Sequence, residues 1–209
     1  SQQIRALANK LVFDLHDAVG DLPGSTKARQ MVVETGVQYL DSLVESARGD
    51  PRAEKELAKA YRQLGDVQGN EGSANLGNLP AAIADIEGAL ALNPRDARGY
   101  NELGILCADV RDVDRAIVAF RRATELDAGY ARAWNNLGNA LRESGRIGEA
   151  ESAFARATTA DPRYPLAWAN LGVVEFRRGK IPAAQRAFES ALEFDPRDAR
   201  VLYWIGATA

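Results

Sequence analysis

The sequence predicts an all-α chain: a right-handed solenoid of helix–turn–helix repeats, preceded by an antiparallel helical pair. Three observations predict it. Residue types recur at a fixed step of 34. Glycines and Asp-Pro pairs punctuate the chain at the same step. Before the repeats, Ile4, Leu7, Leu11, Leu15 and Val19 keep the single apolar stripe of an amphipathic helix.

The chain has 209 residues, of which 46% are hydrophobic, enough for a sizeable core. Lys and Arg number 26 against 29 Asp and Glu, for a net charge of −3, so the basic footprint of a nucleic-acid binder is missing. No run approaches the 18 or so apolar residues of a membrane span. No charged-then-apolar leader opens the chain, and a cytoplasmic location is expected. A single cysteine, Cys107, excludes an internal disulfide, and a single histidine, His16, excludes a multi-histidine metal site.

Residues 1–49 form the expected helical pair. Leu22–Ser25 (LPGS) breaks the first helix, and Ser25 or Thr26 caps a second one carrying Val32, Val33, Val37, Leu40, Leu43 and Val44. Residues 50–96 read as an interrupted repeat. Asp50 and Pro51 have the character of an N-cap and a first helical residue. Leu57, Ala58 and Tyr61 mark its first helix; Ala82, Ile86, Ala89 and Pro94 mark its second. The two are farther apart than in other repeats by about 12 residues, placed as a Gly- and Asn-rich loop over 66–78.

Three regular repeats follow at 97–130, 131–164 and 165–198, then a half-repeat at 199–209. Leu103, Leu137, Leu171 and Ile205 keep one register, as do Gly104, Gly138, Gly172 and Gly206. Ala116, Phe120 and Ala123 recur as Ala150, Phe154 and Ala157, then as Ala184, Phe188 and Ala191. Large residues fill the space between the two helices of a unit, and small ones let their backbones approach. Gly145 and Gly179 suit the turn after the first helix, where glycine reaches positive φ. Pro162 and Pro196 stop the preceding helix. A lone hairpin cannot bury its apolar face, so neighbours stack.

This pattern resembles the tetratricopeptide repeat (TPR), whose positions 4, 7 and 8 read here Tyr100-Leu103-Gly104, Trp134-Leu137-Gly138, Trp168-Leu171-Gly172 and Leu202-Ile205-Gly206. The resemblance implies a groove lined by the first helix (A) of each unit. Its groove positions carry Asn135, Asn136, Asn139 and Arg142 in one unit and Leu166, Asn170, Val173, Phe176 and Arg177 in the next. The last helix adds Arg200, Tyr203 and Trp204. A protein or peptide partner is implied, with no catalysis and no cofactor; self-association stays open.

Two ligand modes are consistent with these residues. Asn136 and Asn170 share position 6, similar to the asparagine ladder of O-GlcNAc transferases. A side-chain amide both donates to and accepts from a peptide backbone. Asn139, Asn170 and Arg200 fall on the positions of a carboxylate clamp similar to that of TPR co-chaperones, although Asn135 and Trp204 stand where cations belong. A third account needs no ligand, since NLGN is a common run in such repeats. Leu166, Ala169, Val173 and Phe176 form an apolar stripe that would seat an apolar anchor. Alternatively Phe176 packs in the core, because Glu175 holds the usual aromatic position.

A second resemblance covers residues 15–78. The runs LHDAV, DLPGS, QYLDSL, AYRQLGDVQGN and SANLGN resemble the segment between the kinase domain and the TPRs of some bacterial serine/threonine kinases. It implies a regulatory region of a signalling protein, without kinase machinery of its own. The contrast between a regular 97–209 and an irregular 1–96 also fits an engineered or chimeric array, or a natural capping segment. Elsewhere the chemistry is sparse. His16 reads as an ordinary helical residue and Cys107 as a small core hydrophobe. Asp66, Asn70, Glu71 and Asn75 lack calcium-loop spacing and read as turn formers. Asp112 reads as an N-cap rather than half of a metal pair with Asp114.

Overall fold

A computed structural model describes residues 26–69 and 79–208. The expected first helix of the pair, His16 and residues 70–78 lie outside the described residues. Within them are ten helices and no strand: α1 (Thr26–Ala47), α2 (Pro51–Gly69), α3 (Leu79–Leu92), α4 (Ala97–Asp109), α5 (Val113–Leu126), α6 (Ala131–Glu143), α7 (Ile147–Ala160), α8 (Pro165–Arg177), α9 (Ile181–Phe194) and α10 (Ala199–Thr208). None of the described helices is long and apolar enough to cross a membrane. The chain divides into two compact units, one ending at Val110 and the other beginning at Arg111.

In the first unit, consecutive helices pack in chain order, most extensively α2 against α3. Val33 and Leu40 from α1 meet Leu57, Tyr61 and Leu64 from α2 in one buried cluster with Ala89 of α3. Asp50 caps α2 as expected, its Oδ1 accepting from the backbone N–H groups of Arg52 and Ala53 at 3.1 and 3.2 Å. Such a cap stabilises a helix by about 1 kcal/mol. The helix then runs to Gly69, so residues 66–69 of the expected loop are helical. Glycine costs a helix only about 1 kcal/mol. Asp96 caps α4 and also accepts from Arg62 Nη1 at 2.8 Å, tying α2 to α4. Cys107 is fully buried, as a core hydrophobe should be.

In the second unit, α6–α7 and α8–α9 are the tightest hairpins. Their geometry follows from the repeat. Phe154 and Phe188 are 0% exposed, and each ring lies against a glycine of the facing helix. A Cβ added at Gly138 would meet the Phe154 ring at 2.5 Å; one added at Gly172 would meet Phe188 at the same distance. Glycine is thus required for close approach. Burying each ring contributes roughly 1.5–3 kcal/mol.

The turns after α6 and α8 use Gly145 and Gly179 at φ of 78° and 74°. The equivalent turn after α4 places Arg111 there, at φ 64°. A side chain in this region costs about 1–2 kcal/mol. Asp112 then caps α5, accepting from Arg115 N–H at 3.2 Å. The indoles of Trp134 and Trp168 donate to the carbonyls of Ala128 and Pro162 at 2.9 and 2.8 Å, clipping each A helix to the loop before it.

Candidate peptide-binding face

The candidate residues lie on three A helices of the second unit. Asn135, Asn136, Asn139 and Arg142 are on α6; Leu166, Asn170, Val173, Phe176 and Arg177 on α8; Arg200, Tyr203 and Trp204 on α10. α6 meets α8, and α8 meets α10. One face is therefore continuous across the three helices.

Asn135 is not displayed on it. It is 1% exposed, and its Oδ1 accepts from Asn170 Nδ2 at 2.8 Å. This corrects its placement among the peptide contacts: position 5 of α6 points into the seam between A helices, where the register equivalent on α8 is the buried Ala169. A buried amide must find a partner, and Asn170 supplies it. Asn170 itself is half-buried. Its bond to Asn135 fixes the amide plane and leaves one N–H and the carbonyl oxygen available.

Asn136 and Asn139 are also half-buried, and Asn139 Oδ1 accepts from Arg142 Nη2 at 3.1 Å. Arg177 is exposed. Arg200 is exposed but occupied: its Nε and Nη2 donate to the two oxygens of Asp198 at 3.2 and 2.8 Å, and the bridge holds the Asp198 carboxyl below its ordinary range.

The apolar candidates behave differently. Phe176 and Val173 pack on the cluster of Ala169, Ala184, Phe188, Ala191 and Val201, with Trp204 beside them. Phe176 and Trp204 have ring centroids 5.2 Å apart, and Trp204 stacks on Phe188 at 6.5 Å. Phe176 packs on this cluster on one side and stays half-buried. Trp204 joins α10 to α8 and α9 through the same stacking and is half-buried. Leu166 stays half-buried, and Tyr203 is 71% exposed, edge-on to Trp204.

Glu175 adds an electrostatic feature that the residue types alone did not reveal. It occupies the register of Leu141, which is 2% exposed. Its Oε2 is buried without a hydrogen-bond partner among the described residues. Burial pushes its carboxyl above the ordinary range, and the nearby Glu151 charge pushes it further. Glu151 goes the other way. Burial raises it, but Lys180, at 2.5 Å, and Arg178 pair with it and hold it low. The signal in the sequence was an acid at a position that elsewhere takes Cys or Leu.

The first unit has its own groove, of about 740 Å³, lined by Val37, Asp41, Val44, Tyr61, Asp85 and Leu92 among others. The Tyr61 hydroxyl donates to Asp41 at 2.5 Å. Burial and that carboxylate hold the phenol in its protonated form, far above its usual pKa.

A family model described as tetratricopeptide repeat matches residues 73–131, 108–165, 135–199 and 169–209. The chain belongs to the tetratricopeptide repeat family. No curated protein matches the sequence. Solved TPR structures do. MamA (41-end) from Desulfovibrio magneticus RS-1 is 17% identical, with a TM-score of 0.61 over 94% of this chain and 97% of its own. YrrB, described as a TPR protein with an unusual peptide-binding site, is 21% identical, with a TM-score of 0.59 over 83% and 90%. The first TPR of Spaghetti (RPAP3), solved with the HSP90 peptide SRMEEVD, is 20% identical, with a TM-score of 0.53 over 55% and 90%. At these identities the likeness establishes the fold, an all-α TPR solenoid. It lends nothing to the kinase-linked resemblance of residues 15–78.

Proposed function

We propose that this TPR chain is a non-catalytic scaffold that captures an extended peptide segment of a partner protein on the A-helix face of α6 and α8. The observation that carries this reading is Asn170. Its amide is held in place by a buried asparagine, while the residue itself is only half-buried. A ligand that meets a fixed amide loses less ordering entropy than one that must organise it. An amide also serves a peptide backbone without regard to side-chain sequence. Asn136, one repeat earlier, extends the same position, and Arg142 and Arg177 add positive charge at the edge. The neighbours solved with, or described as having, peptide sites support the class of ligand.

The ladder reading is favoured over the carboxylate clamp. Asn135 is buried, and two donors of Arg200 are already spent on Asp198. Peptides selected by display on the wild-type protein, then titrated calorimetrically, test the proposal. Asn136→Ala with Asn170→Ala should weaken the selected peptides at least tenfold without lowering the melting temperature by more than a few degrees. Unchanged affinity would sink it. SRMEEVD serves as a second probe: tight binding that depends on Arg200 would replace the ladder with the clamp.

A further inference from the structure

α3 holds the place in its repeat that α5, α7 and α9 hold in theirs, yet one side of it differs in kind. Asp85 stands where the other three carry Ala119, Ala153 and Ala187, and it is buried as they are, at 5% exposed against 3–4%. A carboxylate is costly to bury unless charges or hydrogen bonds answer it. Beside it the side chains shrink. Gly88 and Ala91 replace Arg122 and Glu125, Arg156 and Thr159, and Ser190 and Glu193. The groove of about 740 Å³ lies along this stripped side. α1 and α3 each pack on α2, and all three helices line it.

The groove has two acidic stations. At the first, the Tyr61 hydroxyl donates to Asp41 at 2.5 Å, and the charge of Asp85 helps to keep that phenol protonated. An ammonium group there meets two carboxylates and a phenolic oxygen, and it has three N–H donors to give. The second station is Glu54, seven residues before Tyr61 and so about 10 Å away along α2. Its Oε1 accepts from the Gly49 N–H at 2.9 Å. Three carboxylates thus line the groove against one cation, Arg48, whose Nη2 is paired with Glu45 at 3.1 Å. Val44 and Leu92 add apolar lining.

We infer that this groove binds a linear aliphatic polyamine, with one terminal ammonium at Asp41, Asp85 and Tyr61 and the methylene chain laid over Val44, Gly88 and Leu92 toward Glu54. The two stations decide the class of ligand. The single ammonium of a partner's lysine answers one of them, and a bare metal ion leaves the apolar lining unused. A volume of this size suits a small molecule. A carboxylate offers about four acceptor positions, so Asp85 can serve the fold and a ligand together. The groove lies within the first unit and involves none of the asparagines of α6 and α8, so it does not depend on the peptide reading.

Spermidine is the probe, titrated calorimetrically into the full chain at neutral pH and low salt. A dissociation constant of about 10 μM to 1 mM is expected, weakening as salt rises. Asp41→Asn and Asp85→Asn keep the shape of the groove and remove one charge each, and each should weaken binding roughly tenfold. Gly88→Leu should abolish it. The Cβ added there lies 3.8 Å from the Tyr61 ring, an ordinary contact, so the melting temperature should hold. Glu54→Gln should weaken spermidine more than butylamine, because only the longer ligand reaches the second station. Spermidine binding that is absent at millimolar concentration, or unchanged in Asp41→Asn and Gly88→Leu, overturns the inference. So does magnesium that competes equally well at matched charge, which would mark loose counterions. A capped AAKAA peptide that binds more tightly than spermidine and is lost in Asp41→Asn would overturn the polyamine and assign the groove to a lysine of a partner protein.

Discussion

Alanine at Gly138 or Gly172 should destabilise the fold, while alanine at Gly206 should stabilise it. Alanine normally outperforms glycine in a helix interior by about 1 kcal/mol. At Gly138 that gain meets an obstacle. The new Cβ would lie 2.5, 2.7 and 2.8 Å from three atoms of the Phe154 ring, which is 0% exposed and has nowhere to retreat. Overpacking of this kind costs about 1–3 kcal/mol, and with three ring atoms in conflict the upper part of the range applies. The net effect is a loss of about 1–2 kcal/mol, which for a chain of this size lowers Tm by about 2–4 °C per kcal/mol. Gly172 faces Phe188 in the same way. Gly206 faces open space and lies in a last turn, so its gain is about 0.5 kcal/mol. Far-UV circular dichroism during thermal and urea unfolding measures all three. The Gly138→Ala, Phe154→Leu double variant should recover part of the loss, because the smaller side chain yields room. If all three alanines shift stability in the same direction, close approach is not what glycine provides here.

Three further expectations follow from the same geometry. Asn135→Ala should cost about 1–2 kcal/mol through its lost partner and buried volume, whereas Asn136→Ala and Asn139→Ala should shift the urea midpoint little; equal effects would return Asn135 to the surface. Glu175 has a folded pKa above its unfolded one, so the native state holds its proton more tightly and stability falls as pH rises through that folded pKa. Glu175→Gln should flatten this slope above the ordinary carboxylate range and stabilise the neutral protein, and Glu175→Leu should do so more, because Leu141 is buried in the same register; a steeper slope in the variant would contradict the assignment. Arg111→Gly relieves a left-handed side chain but frees the unfolded backbone and loses an exposed bridge to Glu143, 3.0 Å long. It should be within about 1 kcal/mol of wild type, whereas Gly145→Arg loses about 1–2 kcal/mol by melting midpoint.

The periodic residues made the helices, the glycine turns and the aromatic seats legible, because each is a local or nearest-neighbour requirement written at a constant spacing. What stayed hidden depends on which way a polar side chain faces. Asn135 and Asn136 are adjacent and identical in type, yet one is sealed in a seam and the other is half-open. The clue was the register partner: Ala169, small and buried, marks position 5 as interior. Phe176 left two readings open because an A helix has two apolar neighbours, and its contact with Trp204 became visible only in three dimensions. The continuation of α2 to Gly69 was hidden by reading glycine as a loop former, although its helix penalty is small. Arg111 shows the reverse: the period located the turn, and the residue type gave no sign of it.

The three tryptophans, Trp134, Trp168 and Trp204, all belong to the unit that begins at Arg111. Two donate their indole N–H to backbone carbonyls of a preceding loop, and the third is wedged between phenylalanines. Intrinsic indole fluorescence is therefore a private channel for one half of the molecule, with a separate reporter in each of two repeats and in the terminal helix. A spectroscopist who follows that emission while tracking total helicity can ask, without a label, whether the halves of this chain unfold as one cooperative body or as two.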